Sequence, residues 1–350
     1  MYEKLLVVLL QCLSPSFAHA ITRVALKHFP GFVGENSFED PILESRVCGL
    51  HFNNPIGIAA GFDKNAECVN ALKRVGFGFI ELGTVTLKPQ KGNPSPRLFR
   101  LPQDGAVINR LGFNNKGVGY FLKSLKKAMA QTDLPPLGIN IGKNAVSRDA
   151  VSDYARLAAH VSSVADYITL NVSSPNTASL RDMQKVEILE ELLIAVKAAV
   201  GSDVRIFIKV APDLTEGAEV NIVSLALKHK VAGIIVSNTT IGCRESLHSK
   251  HKVEYGGLSG KPLFKLSTAL LRKMYRCANG ELVFIGCGGI SDAETAYAKI
   301  RSGAALIQAY TSFTYHGFGL LNEIKMGLVQ RLRADGFSSV SEAIGVDAQF

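Results

Sequence analysis

Tryptophan is absent from the sequence, and so are a paired C-x-x-C, an H-E-x-x-H motif, a dense lysine-arginine run and any apolar stretch of membrane-spanning length. Each absence removes a class of protein. The six cysteines (Cys12, Cys48, Cys68, Cys243, Cys277 and Cys287) lie far apart, which argues against a disulfide framework or a zinc site and fits a reducing compartment. The eight histidines show no ligand spacing, so no metal is expected. The basic residues behind the formal net charge of +9 are scattered, with no interleaved aromatic ladder. Small anionic ligands or an acidic membrane surface therefore fit better than nucleic acid. The apolar run from Leu5 to Leu10 falls far short of the ~20 residues that span a bilayer. With one lysine before it and no convincing small-residue cleavage site after it, it also reads poorly as a secretory signal.

What is present is a globular composition, 47% hydrophobic and 20% charged, in 350 residues that can hold one large α/β barrel or two ordinary domains. From residue 55 onward, short Ile/Val-rich runs alternate with longer segments of helical period. Eight runs stand out: Ile56–Ala60, Gly78–Leu82, Leu137–Ile141, Tyr167–Asn171, Arg205–Val210, Ala232–Ser237, Leu282–Gly286 and Ala304–Ala309. A representative helical segment is Val186–Val200, where Leu189, Leu192, Leu193 and Val196 share one face. The alternation predicts an α/β fold of the (β/α)8 TIM barrel type. An open doubly wound sheet would place G-x-G-x-x-G after its first strand, and Gly57-Ile-Ala-Ala-Gly-Phe-Asp-Lys64 does not supply it.

Active sites of such barrels gather at the carboxyl ends of the strands. There the sequence places Asp63-Lys64, Gly83-Thr84, Asn140, Asn171, Lys209, Asn238-Thr239, Gly288-Gly289 and Tyr310-Thr311. The glycines after the seventh strand and Tyr310-Thr311 after the eighth form the expected phosphate site, aided by a helix starting near Ser291-Asp292. Lys64 and Lys209 should point into the mouth, serving either a Schiff base or the electron-rich edge of a reduced flavin. Asn109, Asn140, Asn171, Asn176 and Asn238 offer donors and acceptors without charge, which suits a ring of alternating C=O and N–H such as a flavin or a pyrimidine.

Over essentially its whole length the sequence resembles the class 2, quinone-dependent dihydroorotate dehydrogenases. The resemblance rests on Ala59-Ala-Gly-Phe-Asp-Lys64, Gly83-Thr-Val-Thr86, Pro96-Arg-Leu-Phe-Arg100, Asn109-Arg-Leu-Gly-Phe-Asn-Asn115, Gly138-Ile-Asn-Ile-Gly-Lys-Asn144, Asn171-Val-Ser-Ser-Pro-Asn-Thr177, Asn238-Thr-Thr240, Gly256-Gly-Leu-Ser-Gly260 and Gly286-Cys-Gly-Gly289. It implies oxidation of dihydroorotate to orotate in pyrimidine biosynthesis, with flavin mononucleotide (FMN) accepting a hydride and a membrane quinone reoxidising it. The implied FMN contacts are Ala60, Gly61, Phe62, Asp63, Lys64, Thr84, Asn140, Asn171, Lys209, Ser237, Gly260, Gly289, Tyr310 and Thr311. Those for dihydroorotate are Lys64, Asn109, Arg110, Leu111, Gly112, Phe113, Asn171, Asn176, Asn238 and Thr239. Ser174 is implied as the base for the C5 proton, with Thr177 and Phe113 completing the catalytic set. Soluble class 1 relatives carry cysteine as the base, so serine at this position points to class 2. His19, Arg100 and Tyr310 match polar positions of the family's quinone passage. Ser237 and Thr311 stand where some relatives have threonine and serine, and each keeps a hydroxyl.

The first thirty residues read as two short amphipathic helices, Tyr2–Leu13 and Pro15–His28, whose apolar faces lie in a membrane interface or pack on the barrel. Residues 1–40 are thus expected to form a membrane-associating helical extension, and 41–350 the barrel. The expected particle is a monomer, peripheral on the cytoplasmic side of a bacterial inner membrane in preference to a mitochondrial one. Three rivals stand beside this reading. They are a pyrimidine-specific flavin barrel with a soluble acceptor, a Schiff-base lyase using Lys64 or Lys209, and a non-catalytic flavin- or membrane-binding protein.

Overall fold

The computed structural model describes residues 2–34, 38–131 and 133–348, with no side-chain description for residues 2–5 and 32. Helices α1 (Tyr2–Cys12) and α2 (Pro15–His28) break at Ser14-Pro15, where proline takes the first turn of the second helix, the position that tolerates it. The chain continues through β1 (Ser45–Val47), β2 (Leu50–Phe52), β3 (Ile56–Ile58), α3 (Val69–Val75), β4 (Phe79–Val85), β5 (Leu98–Leu101), β6 (Ala106–Asn109), α4 (Gly117–Met129), β7 (Leu137–Ile141) and α5 (Ala150–Val161). Next come β8 (Tyr167–Asn171), α6 (Val186–Val200), β9 (Ile206–Val210), α7 (Ala218–Lys228), β10 (Gly233–Val236), β11 (Gly257–Gly260) and α8 (Phe264–Ala278). It ends with β12 (Val283–Cys287), α9 (Ala293–Arg301), β13 (Leu306–Ala309), α10 (Thr311–His316) and α11 (Leu320–Ala334).

Strands β3, β4, β7, β8, β9, β10, β12 and β13 pair in parallel in that order, and β13 returns to β3 to close the barrel. They are the eight runs read from the sequence. Strands β7, β8 and β9 are buried at every residue, because helices cover the outside and side chains fill the lumen. The floor is aromatic. Phe52 meets Phe79, Phe79 meets Tyr167, and Tyr167 meets Phe207 edge-on, with centroids 5.7, 6.5 and 5.1 Å apart. Gly138 makes room for this stack, since a Cβ there would stand 2.1 Å from the Tyr167 ring.

Two additions have no counterpart in the sequence reading. The antiparallel hairpin β1–β2 brings Phe52 to the floor, and the antiparallel sheet β5–β6–β11 stands on the loops that follow β4 and β10. That sheet carries Asn109 and Gly260 to the barrel mouth.

The N-terminal helices are fastened by charge at their edges. Arg23 and Lys27 of α2 both pair with Glu67, which also receives Lys116 and the Tyr120 hydroxyl from α4. Burial alone would raise the Glu67 carboxyl. The hydrogen bonds from Tyr120, Lys27 and Lys116 and the Arg23 charge outweigh it and hold the group well below the ordinary carboxylate range. Arg100 of β5 donates to the carbonyls of Leu10, Gln11 and Leu13, satisfying the open end of α1 with a cation where the helix dipole favours one. Val8, Leu9, Leu13, Phe17, Ile21, Val24 and Phe29 are left exposed along this pair. No helix among the described residues is long and apolar enough to cross a membrane.

Candidate active site

One cavity of about 810 Å³ joins the space between α1 and α2 to the carboxyl ends of the barrel strands. Leu6, Val7 and Leu10 of α1 and Ala18, His19 and Ala25 of α2 line its outer part. Its inner part is lined by Lys64, Thr84, Asn109, Asn171, Ser174, Asn176, Lys209, Ser237, Asn238 and Thr239, all expected site residues. Ala60, Gly61, Phe62, Arg100, Leu111, Gly112, Phe113, Gly260, Gly289, Tyr310 and Thr311 complete the expected set on its wall.

The inner wall is organised from a residue beneath it. Glu81 of β4, fully buried, accepts Nδ2 of Asn140 at 2.8 Å on one oxygen, and on the other Nε2 of Gln308 at 2.6 Å and the Tyr167 hydroxyl at 3.2 Å. A carboxylate only accepts, so the amide nitrogen of Asn140 must face it and Oδ1 must face the other way. That oxygen takes the Thr84 hydroxyl at 2.5 Å and Nδ2 of Asn171 at 3.2 Å. Asn171 Nδ2 also donates to Thr84 Oγ1 at 3.0 Å, and its Oδ1 accepts Nδ2 of Asn238 at 3.1 Å. Asn238 Oδ1 in turn accepts the backbone N–H of Thr239 at 2.8 Å. One carboxylate thereby sets the direction of three amides in series.

The loop after β8 adds Ser174, whose Oγ accepts the backbone N–H of Asn176 at 3.3 Å. Asn176 Nδ2 donates to Oδ1 of Asn109 at 3.1 Å, tying this loop to the antiparallel sheet. Arg181 holds the same loop to the one after β10, donating to the carbonyls of Ser173 at 3.1 Å and Thr239 at 2.9 Å. Thr177 Oγ1 and Thr239 Oγ1 are buried without a hydrogen-bond partner among the described residues. Phe113, at φ 52°, lies over Gly142, where a Cβ would stand 2.8 Å from its ring.

Two lysines enter the mouth with different surroundings. Lys209 of β9 is buried and makes no hydrogen bond or ion pair among the described residues. Lys64 donates to the carbonyl of Gly61 at 2.5 Å, and burial followed by the charges of Arg23 and Arg97 pushes its ammonium down to about 7. His19 is pushed down to about 3 by burial, then by the charges of Lys64 and Arg23. Its ring stands edge-on to Phe62 at 5.9 Å and its Nε2 lies 3.4 Å from the Tyr310 hydroxyl.

Gly260, Gly288, Gly289, Tyr310 and Thr311 converge on one end of the cavity, where Thr311 donates to Ser259 Oγ at 2.8 Å. The expected help from a helix starting near Ser291-Asp292 is not found. The α9 N-terminus is closed by a capping box, with Asp292 Oδ1 accepting the N–H of Thr295 at 2.8 Å and Thr295 Oγ1 accepting that of Asp292 at 3.1 Å, and neither Ser291 nor Asp292 lines the cavity. Helix α10 begins at this end of the cavity, at Thr311.

Four expected residues lie behind the wall rather than on it. Asn140 acts through Asn171 and Thr84, and Thr177 is buried in the loop that carries Ser174 without lining the cavity. Asp63 accepts the backbone N–H groups of Asn65, Glu67 and Cys68 and so shapes the loop after β3. Arg110 follows Asn109 at the end of β6, and side chains alternate across a strand, so it turns away from the cavity. It pairs with Glu254 at 2.8 Å and lies over the rings of Phe99 and Tyr255.

The sequence reading missed Glu81, Gln308, Ser173, Tyr154 and Arg181. Ser173 Oγ accepts Asn238 Nδ2 at 3.0 Å, and the Tyr154 hydroxyl holds the Asn171 carbonyl at 2.6 Å. The signal for Glu81 and Gln308 was available, because each is a lone polar residue inside an apolar strand, Phe79-Ile-Glu-Leu and Leu306-Ile-Gln-Ala. Arg181 belongs to an ordinary-looking turn and had none.

Residues 42–332 match the family model of dihydroorotate dehydrogenase. A Xanthobacter autotrophicus protein named dihydroorotate dehydrogenase (quinone) is 46% identical, over 97% of this chain and 98% of its own. One of the same name from Rhodospirillum rubrum is 47% identical, over 96% and 92%. The mitochondrial enzyme of that name from Arabidopsis thaliana is 44% identical, over 96% of this chain and 79% of its own. The crystal structure of DHODH from Eimeria tenella in complex with ferulenol superposes with a TM-score of 0.92 at 37% identity, covering 96% of each chain.

Proposed function

Because the chain belongs to the dihydroorotate dehydrogenase family, we infer that it oxidises dihydroorotate to orotate in pyrimidine biosynthesis and hands the electrons to a quinone. The observation that carries this reading is one cavity holding the oriented asparagines, Ser174 and unpaired Lys209 at its inner end and an apolar passage between two helices at its outer end. The same residues fit FMN. Lys209 is buried without an acidic partner among the described residues, suited to the electron-rich pyrimidine edge of a flavin, and the glycine-lined end suits a phosphate. When bound, FMN supplies the acceptor for the C6 hydride and the route by which the electrons leave.

Asn109, Asn171, Asn176, Asn238 and Thr239 would read the ring amides of dihydroorotate, and Lys64 would face its carboxylate. Ser174 takes the C5 proton. A serine hydroxyl is a weak base, so it acts on a proton already acidified by the neighbouring carbonyl, and Thr177 Oγ1 of the same loop, without a partner among the described residues, supports a route by which the proton leaves. Leu111, Gly112 and Phe113 close the other side and exclude water.

The exposed apolar residues of α1 and α2 support seating in a membrane interface, from which a quinone enters between the helices past His19, Arg100 and Tyr310. Residues 1–40 then form the membrane-facing part and 41–350 the barrel. Six free cysteines suit the reducing cytoplasmic side of a bacterial inner membrane.

Anaerobic addition of dihydroorotate to the purified protein should bleach a flavin absorption band, and a quinone should restore it. A colourless protein trapped by borohydride with a carbonyl substrate would overturn the reading in favour of a Schiff-base lyase at Lys64 or Lys209.

A further inference from the structure

Lys299 of α9 has no place in the scheme above, yet it is among the most buried side chains of the protein, with 0% exposure. Its stem runs beside β12, since a Cβ on Gly286 would stand 3.3 Å from Lys299 Cδ. Its ammonium donates to Ser267 Oγ at 2.7 Å and lies 5.5 Å from the centre of the Phe264 ring. It forms no ion pair among the described residues. Burial pushes its ammonium down to about 7. A buried cation without an anion is strongly disfavoured unless something compensates it.

What lies in front of Lys299 is the glycine-lined end of the cavity. Ser267 Oγ is 3.1 Å from the carbonyl of Gly288, and a Cβ on Gly288 would stand 3.0 Å from that same oxygen. Gly289 lies so close to the start of α8 that a Cβ would stand 2.4 Å from Phe264 Cα. Lys299, Ser267 and the Gly288-Gly289 turn are therefore stacked in contact, with the cavity on the far side. On that side Ser259, Gly260, Gly288, Gly289, Tyr310 and Thr311 supply hydroxyls and backbone but no formal charge. A phosphate seated there would meet donors in front and find its positive charge behind the wall.

We propose that Lys299 is the counter-charge for the phosphate monoester of the bound flavin, a positioning residue that acts across Ser267 and the Gly288-Gly289 turn without touching the ligand. This rests on the FMN reading. It makes Lys299 selective for phosphorylated flavin, because an uncharged ribityl end has nothing to gain from a cation in that place. In the water-poor interior a charge acts over such a separation with far less screening than at the surface.

The test compares FMN with riboflavin on the full-length protein, by equilibrium exchange followed by flavin fluorescence, in wild type and Lys299→Met. The expected result is that the preference for FMN over riboflavin drops by about tenfold or more in the variant, with riboflavin affinity little changed. An unchanged preference, or equal weakening of both flavins, makes Lys299 a structural residue and overturns the proposal. If Lys299→Met does not fold, Lys299→Gln decides, since it keeps a donor to Ser267 and removes only the charge. A wild type that binds neither flavin, or both alike, would sink the FMN reading itself.

Discussion

At the barrel mouth, Asn140, Asn171 and Asn238 each have the nitrogen of the amide committed and the oxygen occupied, whereas Leu6, Val7, Leu10 and Ala18 offer the entrance no polar side-chain group. The mouth is ordered from within, by a carboxylate buried under it. The entrance is held from its edges, by Glu67 under α2 and Arg100 at the end of α1. A site that distinguishes C=O from N–H on a planar ring needs fixed polarity. A passage for an apolar carrier needs only shape and the absence of competing hydrogen bonds. The two regions should therefore fail separately, the mouth in flavin reduction and the entrance in quinone turnover.

The largest separation is expected at Ser174. Ser174→Ala should slow flavin reduction by dihydroorotate about 10²- to 10⁴-fold in anaerobic single turnover, and leave reoxidation of chemically reduced protein by quinone unchanged. Equal loss in both half-reactions would break the comparison. Glu81→Gln comes next. A glutamine can donate as well as accept, so it no longer dictates which end of Asn140 faces inward, and the amides beyond it lose a common direction. Losing a hydrogen bond to a charged group costs about 1.5–3 kcal/mol. Flavin reduction should then fall by roughly 10- to 150-fold, again without effect on the quinone step. An unchanged reduction rate would show that the chain of amides does not need its anchor.

Glu67→Gln probes the other region more gently. It should raise the quinone KM several-fold and leave flavin reduction intact, because α2 loses the carboxylate that Arg23 and Lys27 share. Two of its cationic partners are at least a third exposed, so the loss of stability is expected to be only about 1 kcal/mol. The sign with pH follows from the depressed carboxyl. Its contribution is complete above the ordinary glutamate value of 4.5 and disappears as pH falls toward the lower folded value. Thermal melting should accordingly show less acid sensitivity in the variant than in wild type, and parallel pH curves would count against the latch.

The eight barrel strands were legible in the sequence because parallel strands buried on both faces read as compact Ile/Val runs, and the site residues were legible because they stand where those runs stop. The antiparallel sheet β5–β6–β11 was not, since its strands are four residues each and pair across long stretches of chain, as Leu258 does with Ile108. Arg110 misled for a related reason, its motif neighbours facing the cavity while strand alternation turns it outward to Glu254. The α9 N-terminus misled because Asp292 closes its own helix, a choice that Ser291-Asp292 announced as a cap but not as an obstacle to a phosphate. The sequence places Lys64 at the mouth, but its lowered proton affinity comes first from burial and then from the charges of Arg23 and Arg97, which only the fold brings about.

The smallest expected effect tests the entrance at its imidazole ring, His19. His19 sits where a quinone would pass, and its ordinary value of 6.5 would place a charge change in the physiological range. Burial and the charges of Lys64 and Arg23 push it down to about 3, so the ring is neutral in the folded protein across that range. The unfolded chain takes up a proton below about 6.5 that the folded one refuses, which makes His19 a source of lost stability as pH falls from there toward 3. The rate of quinone reduction, by contrast, should show no ionisation between about pH 5 and 8 that belongs to this residue. His19→Asn, which keeps a polar group near the Tyr310 hydroxyl, should leave the shape of that profile as it is. A step near 6.5 in the wild type that vanishes in His19→Asn would mean that the entrance carries a switchable charge, and the contrast with the fixed polarity of the mouth would have to be redrawn.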